Sequence, residues 1–185
     1  MVPYDRGMVE HSTTRLAAVL ALGLTLVPTP SPAWVVRSHG SDGWGVAVPV
    51  VLAPDGNPVV AGLLGEPSPL QSEAHIAKHS ASDGSELWTY TSGGAGEDIA
   101  NGLAIDGVGD VYALLSLYRA SDVYDTAIVK LSNAAGTELW RRDFGGPGYQ
   151  IATALVLASN GDPIIALLEG PLQTAGSVIR FDGAN

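Results

Sequence analysis

Four groups of residues in this 185-residue chain have types and spacings that invite chemistry. His75 and His79 stand four apart, and on one face of a helix they could share a metal ion. Asp98, Asp106 and Asp110 could bind calcium together with loop carbonyls. Gly93-Gly94-Ala95-Gly96 and Gly145-Gly146-Pro147-Gly148 look like phosphate-cradling loops. Arg141-Arg142 is the one adjacent basic pair. No Gly-x-Ser-x-Gly, Ser-x-x-Lys, His-Glu-x-x-His or Gly-x-x-x-x-Gly-Lys pattern occurs, which removes the common signatures of nucleophilic hydrolases, zinc proteases and P-loop enzymes.

What these groups can do depends on the elements that carry them. The 23 glycines and 12 prolines are too many for a helical bundle and suit short strands joined by tight turns. No segment after Ala33 has a capped 3.6-residue period, so no helix is expected there. On a strand, His75 and His79 point to one face about 13 Å apart, too far for one zinc. They read as ordinary surface or packing histidines. The glycine runs lack a third glycine and open no helix, so they read as turns between an outer and the next inner strand. Turn capping is the expectation for the three aspartates, and a solvated edge for Arg141-Arg142. No catalytic, cofactor or metal residue is assigned.

The chain carries a formal charge of −10 and no cysteine. An acidic surface repels phosphate backbones, which argues against nucleic acid and anionic membranes as partners. Without cysteine, stability must come from packing. Arg15 precedes an apolar run from Leu16 to Val27, too short for a comfortable membrane span. Pro28, Pro30 and Pro32 follow, and Ser31-Pro32-Ala33 offers small residues for a cleavage site. Residues 1–33 therefore read as a signal peptide, and the mature chain is expected to start near Trp34, exported to the periplasm, the cell surface or the medium.

The remaining 34–185 repeat. Trp88 and Trp140 are 52 apart, as are Gly94 and Gly146, Gly109 and Gly161, Lys78 and Lys130, and Gly84 and Gly136. Trp34, Gly56 and Gly84 start a looser first copy. A period near 50 is the length of a four-stranded β-propeller blade. The second copy predicts strands over Asp98–Asp106, Asp110–Tyr118, Asp125–Ser132 and Thr137–Phe144. In the third of these, Ala127, Val129 and Leu131 share one face, and Ile128 and Lys130 the other. The fold expected is all-β: about three blades of four antiparallel strands, divided roughly at 34–87, 88–139 and 140–185, with Trp34, Trp88, Trp140, Gly94, Gly146, Gly109 and Gly161 as structural landmarks.

The second copy resembles the SBBP family of bacterial β-propeller repeats. Thr89-Tyr90, Gly93 through Asp98, Gly102 through Asp106, Gly109 through Tyr112, Asp125 through Leu131 and Gly136 through Trp140 carry the likeness. The third copy departs from it, with Gln150 for Asp98 and Ala158 for Asp106, and the first has Gly45 and Ala53 there. Ser82-Asp83-Gly84-Ser85-Glu86-Leu87-Trp88 also looks like the Gly-to-Trp motif of pyrroloquinoline-quinone-type repeats. That likeness implies an indole buried between blades with its N–H bonded to backbone. The resemblance implies a non-catalytic scaffold binding a protein or polymer partner. The alternative is a fragment of a quinoprotein-like or hydrolytic propeller enzyme, for which the seven basic residues after Ala33 leave few cofactor-binding groups. Trp34–Arg37 then reads as a fourth strand without its blade, and Val178–Phe181 as a third strand without its fourth. Three blades cannot close a ring. Further blades in a longer chain are the expectation, with a head-to-tail homodimer as the other possibility.

Overall fold

A computed structural model describes residues 9–11, 34–36, 44–66, 71–93, 96–119, 123–146, 148–170 and 175–182. These residues form thirteen strands and no helix. β1 (Val9–His11) and β2 (Trp34–Val36) make a two-stranded sheet. β3 (Trp44–Leu52), β4 (Pro58–Glu66), β5 (Gln71–His79) and β6 (Glu86–Ser92) make the first full sheet. β7 (Ile99–Ile105), β8 (Val111–Tyr118), β9 (Tyr124–Leu131) and β10 (Glu138–Phe144) make the second. β11 (Tyr149–Leu157), β12 (Pro163–Gly170) and β13 (Ala175–Arg180) make the third, with three strands. Within each sheet, strands follow chain order and pair antiparallel.

The register repeats with the sequence. Lys78 opposes Val59, Lys130 opposes Tyr112 and Arg180 opposes Ile164, each the second residue of its sheet's second strand. The first strand of each of the three larger sheets bulges at the same place, between Ala47 and Val50, Ala100 and Gly102, and Ala152 and Ala154. A second recurring bulge precedes the tryptophans and leaves Leu87 and Leu139 exposed. Pro58 and Pro163 sit at the first positions of β4 and β12, where a missing N–H costs the ladder least. The turn into β8 closes with Gly109 N–H donating to Asp106 O at 3.0 Å, and Gly109 takes φ +95°, which a side chain resists.

The sheets stack face to face, with the first strands together: β7 lies against both β3 and β11. Val59, Ala61, Ala74, Ile76 and Trp88 of the first sheet pack on Leu103, Val111, Ala113, Leu115, Ala127, Val129 and Leu131 of the second. The second sheet's other face, through Tyr112, Leu114 and Ile128, packs on Leu155, Ile165 and Leu167 of the third. Both faces of β8 and β9 are therefore covered. Ile76, Leu114, Leu115, Ile128 and Leu131 are fully buried, each contributing about 1.5–3 kcal/mol of transfer free energy. The alternation expected for Ala127, Val129 and Leu131 against Ile128 is the division between these two interfaces.

Divisions at Trp88 and Trp140 cut through β6 and β10, because each tryptophan lies on the last strand of its sheet; the full sheets run 44–92, 99–144 and 149–180. Within 1–33 the only described residues, Val9–His11, pair with β2, His11 opposite Trp34. The apolar run Leu16–Val27 and Ser31-Pro32-Ala33 lie outside the described residues, as does Gly94.

Candidate functional site

The residues with chemical potential fall into three places: the turn end of the sheets where β5 meets β6 and β9 meets β10, the seam between the second and third sheets, and the opposite end around Tyr118. At the first place the dominant feature is a tryptophan latch. Trp88 is 7 % exposed, and its indole Nε1 donates to Asn133 O at 2.9 Å in the next sheet. Gly136, at φ +64°, lies under the ring: a Cβ there would stand 2.6 Å from Trp88 Cε3. Trp34 repeats the arrangement one sheet earlier, donating to Ala81 O at 3.0 Å above Gly84. Trp140 differs. It is half-buried, edge-on to Tyr112 at 5.7 Å with Arg142 stacked on it. The residues 52 beyond the Asn133–Gly136 turn begin at Asn185, outside the described residues.

A cation recurs on the third strand of each of the three larger sheets. Lys78 is buried and pairs with Asp55 at 2.6 Å, and it also donates to the Asn133 side-chain carbonyl across the seam. Lys130 pairs with Asp106 at 3.0 Å and Asp110 at 3.3 Å beside the Tyr112 ring. Arg180 grips Asp162 through Nη2 at 2.6 Å and Nε at 3.0 Å. Burial pulls the Lys130 ammonium down, but hydrogen bonds with Asp106, Tyr112 and Asp110 outweigh it and raise its pKa. The hydrogen bond from Lys78 holds Asp55 below the usual carboxylate range, against a smaller opposing push from burial.

These contacts account for the aspartates. Asp106 Oδ1 accepts the N–H groups of Val108 and Asp110, which is turn capping, while Oδ2 holds Lys130. Asp110 Oδ1 accepts the Asn133 N–H. Asp98 does not join them. It precedes β7, at the other end of that seven-residue strand from Asp106, roughly 25 Å away by strand rise. There it is buried and accepts the Tyr118 N–H at 2.7 Å. Three carboxylates so divided cannot share one calcium ion, and among the described residues no group of three or more metal-ligating side chains converges.

His75 and His79 both lie on β5 and do different things. His79 is buried and Nδ1 donates to Gly84 O at 3.2 Å, bracing the turn under Trp34. His75 Nδ1 is buried without a hydrogen-bond partner. Burial first, and then the nearby His79, lower its pKa. Arg141 on β10 is tied to Asp143 Oδ1 at 2.8 and 2.9 Å and to Ser92 Oγ at 2.9 Å, so the expected solvated edge is an ion pair bridging to the first sheet. Of the glycine runs, Gly93 and Gly96 lead from β6 to β7 and Gly145, Gly146 and Gly148 from β10 to β11. Gly146 N–H donates to Gln150 Oε1, a bond internal to the turn.

Sequence reasoning missed the seam between the second and third sheets. Asn101, the bulged residue of β7, donates to Ser116 Oγ at 2.7 Å and to Ala152 O at 3.1 Å. Ser116 Oγ accepts the Ala152 N–H, and Thr126 Oγ1 donates to Gln150 O at 2.8 Å. This is a polar string among buried aliphatics, and each side chain in it is matched to a backbone or side-chain partner. At the far end, Tyr118 and Tyr124 stack edge to face at 5.4 Å beside the Arg119–Asp125 pair. Among the described residues at these three places, Asp55, Asp106, Asp110, Asp125 and Asp162 are each paired with a cation. No family model matches the chain, and no curated protein matches it in sequence.

Proposed function

We propose that the three sheets are blades of an SBBP-like β-propeller, and that the protein is an exported, non-catalytic scaffold that binds a protein or polymer partner outside the cytoplasm. The observation that carries this reading is the repeated latch: Trp34 and Trp88 each donate an indole N–H to the turn of the next sheet, over a glycine at positive φ. Such a device fixes one sheet against the next and serves packing, not turnover. The charged residues that looked reactive in sequence are committed to the same task, since Asp55, Asp106, Asp110 and Asp162 all pair with third-strand cations. Gly56, Gly109 and Gly161 close the turns those aspartates flank. What remains for binding is surface, acidic overall at −10. Such a surface suits a cationic or neutral partner over nucleic acid.

Two measurements test the reading. The protein recovered from outside the cytoplasm is expected to begin within a few residues of Trp34 by N-terminal sequencing. Titration with pyrroloquinoline quinone and calcium is expected to leave an absorbance spectrum equal to the sum of the components. Intact Leu16–Val27 in a cytoplasmic protein would overturn export, and a bound-quinone band would overturn the non-catalytic reading.

A further inference from the structure

Four described turns put an acid or an amide directly before a glycine and fold it the same way. Asp55 Oδ1 accepts the Asn57 N–H at 3.0 Å, Asp83 Oδ1 the Ser85 N–H at 3.0 Å, Asp106 Oδ1 the Val108 N–H at 3.1 Å and Asn160 Oδ1 the Asp162 N–H at 3.3 Å. Each bond closes a side-chain turn that lays the carboxyl or amide carbon over the peptide of the intervening glycine, Gly56, Gly84, Gly107 or Gly161. That is the approach a glycine nitrogen needs to attack the side-chain carbon. Three of the four are carboxylates, charged at neutral pH and poor targets for an electron-rich nitrogen. Asp55 and Asp106 are also held by Lys78 and Lys130. Of the four, only Asn160 offers a neutral amide.

The surroundings of Asn160 favour the same reaction. It is exposed in the turn between β11 and β12, and its Nδ2 is oriented by donating to Asp162 Oδ2 at 2.7 Å. Gly161 takes φ +86° with nothing within 4 Å of where a Cβ would point, so base can reach its nitrogen. The Asp162 N–H already donates to Asn160 Oδ1, the oxygen on which negative charge develops when the amide carbon is attacked. One bond opposes the step: Gly161 N–H donates to Ala158 O at 2.9 Å and must open first. In an exposed turn water replaces that bond at little cost. The other asparagine–glycine pair is the contrast. Asn101 Nδ2 is held by Ser116 Oγ and Ala152 O in the seam, and Gly102 is buried opposite Leu114, with a Cβ's place 3.1 Å from Leu155 Cβ.

We propose that Asn160-Gly161 is a self-modifying site, at which the turn converts asparagine to aspartate and isoaspartate with water as co-reactant. The Gly161 nitrogen loses its proton to solvent base, and its electron pair forms a bond to Asn160 Cγ. The Cγ–Nδ2 bond breaks, and Nδ2 takes up a proton and leaves as ammonia. One water molecule then opens the cyclic imide. Attack at Cγ restores the main chain and gives aspartate; attack at the main-chain carbonyl carbon leaves the chain running through Cγ and gives isoaspartate. The aspartate product puts a second carboxylate beside Asp162 and Arg180, the arrangement Lys130 has with Asp106 and Asp110.

The two asparagine–glycine pairs test the proposal within one molecule. The whole folded chain is kept in mildly alkaline heavy-oxygen water, then digested in ordinary water and its peptides weighed. The peptide holding Asn160 is expected to gain one heavy oxygen and to split into two chromatographic isomers. The peptide holding Asn101 is expected to lag about tenfold or more, because two hydrogen bonds must open before it can react. In urea the two sites are expected to convert at similar rates. Gly161→Ala, which crowds the attacking nitrogen, should suppress the gain at Asn160 and leave Asn101 unchanged. Should the strain at positive φ loosen that variant's turn, the two-site comparison in the parent chain decides alone. Equal or faster conversion of Asn101 in the folded chain overturns the proposal. So does an Asn160 that stays intact when folded over a time that converts it in urea.

Discussion

Trp88→Ala removes the residue that joins the first two sheets, and its cost can be worked from what the indole touches. The side chain is 93 % buried by the exposure given above, and truncation to Ala takes away about 200 Å² of apolar contact. At about 25 cal/mol per Å² that is about 5 kcal/mol, an upper bound because the unfolded chain already hides some of this area. The lost bond to Asn133 O adds about 1 kcal/mol. Relaxation of Gly136 and its turn into the space offsets part of the sum. The expected loss is about 3–5 kcal/mol, as for other buried aromatic truncations. Trp88→Phe keeps most of the area and drops the N–H, so it should cost about 1–2 kcal/mol. Trp140→Ala should cost less than Trp88→Ala, since Trp140 is only half-buried. Urea unfolding followed by far-ultraviolet circular dichroism gives all three numbers. A Trp88→Ala loss below about 1 kcal/mol, or one equal to that of Trp140→Ala, would refute the argument that the latch holds the sheets together.

Two further outcomes are expected. Gly136→Ala meets both a positive φ and the Trp88 ring, whereas Gly56→Ala meets the positive φ alone with nothing within 4 Å of the new Cβ. The second should cost about 1–2 kcal/mol and the first clearly more, with the excess abolished in a Trp88→Ala background in the same urea assay. His75, whose folded pKa lies below its unfolded value, binds fewer protons when folded. Stability is therefore complete above about pH 6.5 and falls as the pH drops through that value towards the folded pKa, and His75→Gln should flatten that slope in melts taken between pH 7.5 and 5.

The strands were legible because their spacing recurs and their edges carry glycine, proline and aspartate. Asp98–Asp106 and Asp110–Tyr118 contain β7 and β8 within a residue or two of their ends. The roles of Asp106 and Asp110 were half legible: capping follows from local turn chemistry, but the partner Lys130 lies two strands away and only the register brings it close. The seam of Asn101, Ser116 and Thr126 was not legible. A polar residue in an alternating strand looks solvent-facing, and only the covering of both faces of the second sheet turns it inward. β1 gave no signal, because three residues ahead of an apolar run carry no period of their own.

The latch has a consequence in time. Trp34 and Trp88 each bond to a carbonyl that lies 47 and 45 residues further along the chain. As the polypeptide is made from its N-terminus at about 5–20 residues per second, each indole waits about 2–9 s for its acceptor to exist. For that interval the newest sheet presents its forward face and an idle tryptophan to whatever is near. Assembly is therefore a relay at these two joins, in which the earlier strand is held provisionally until the later turn arrives to lock it.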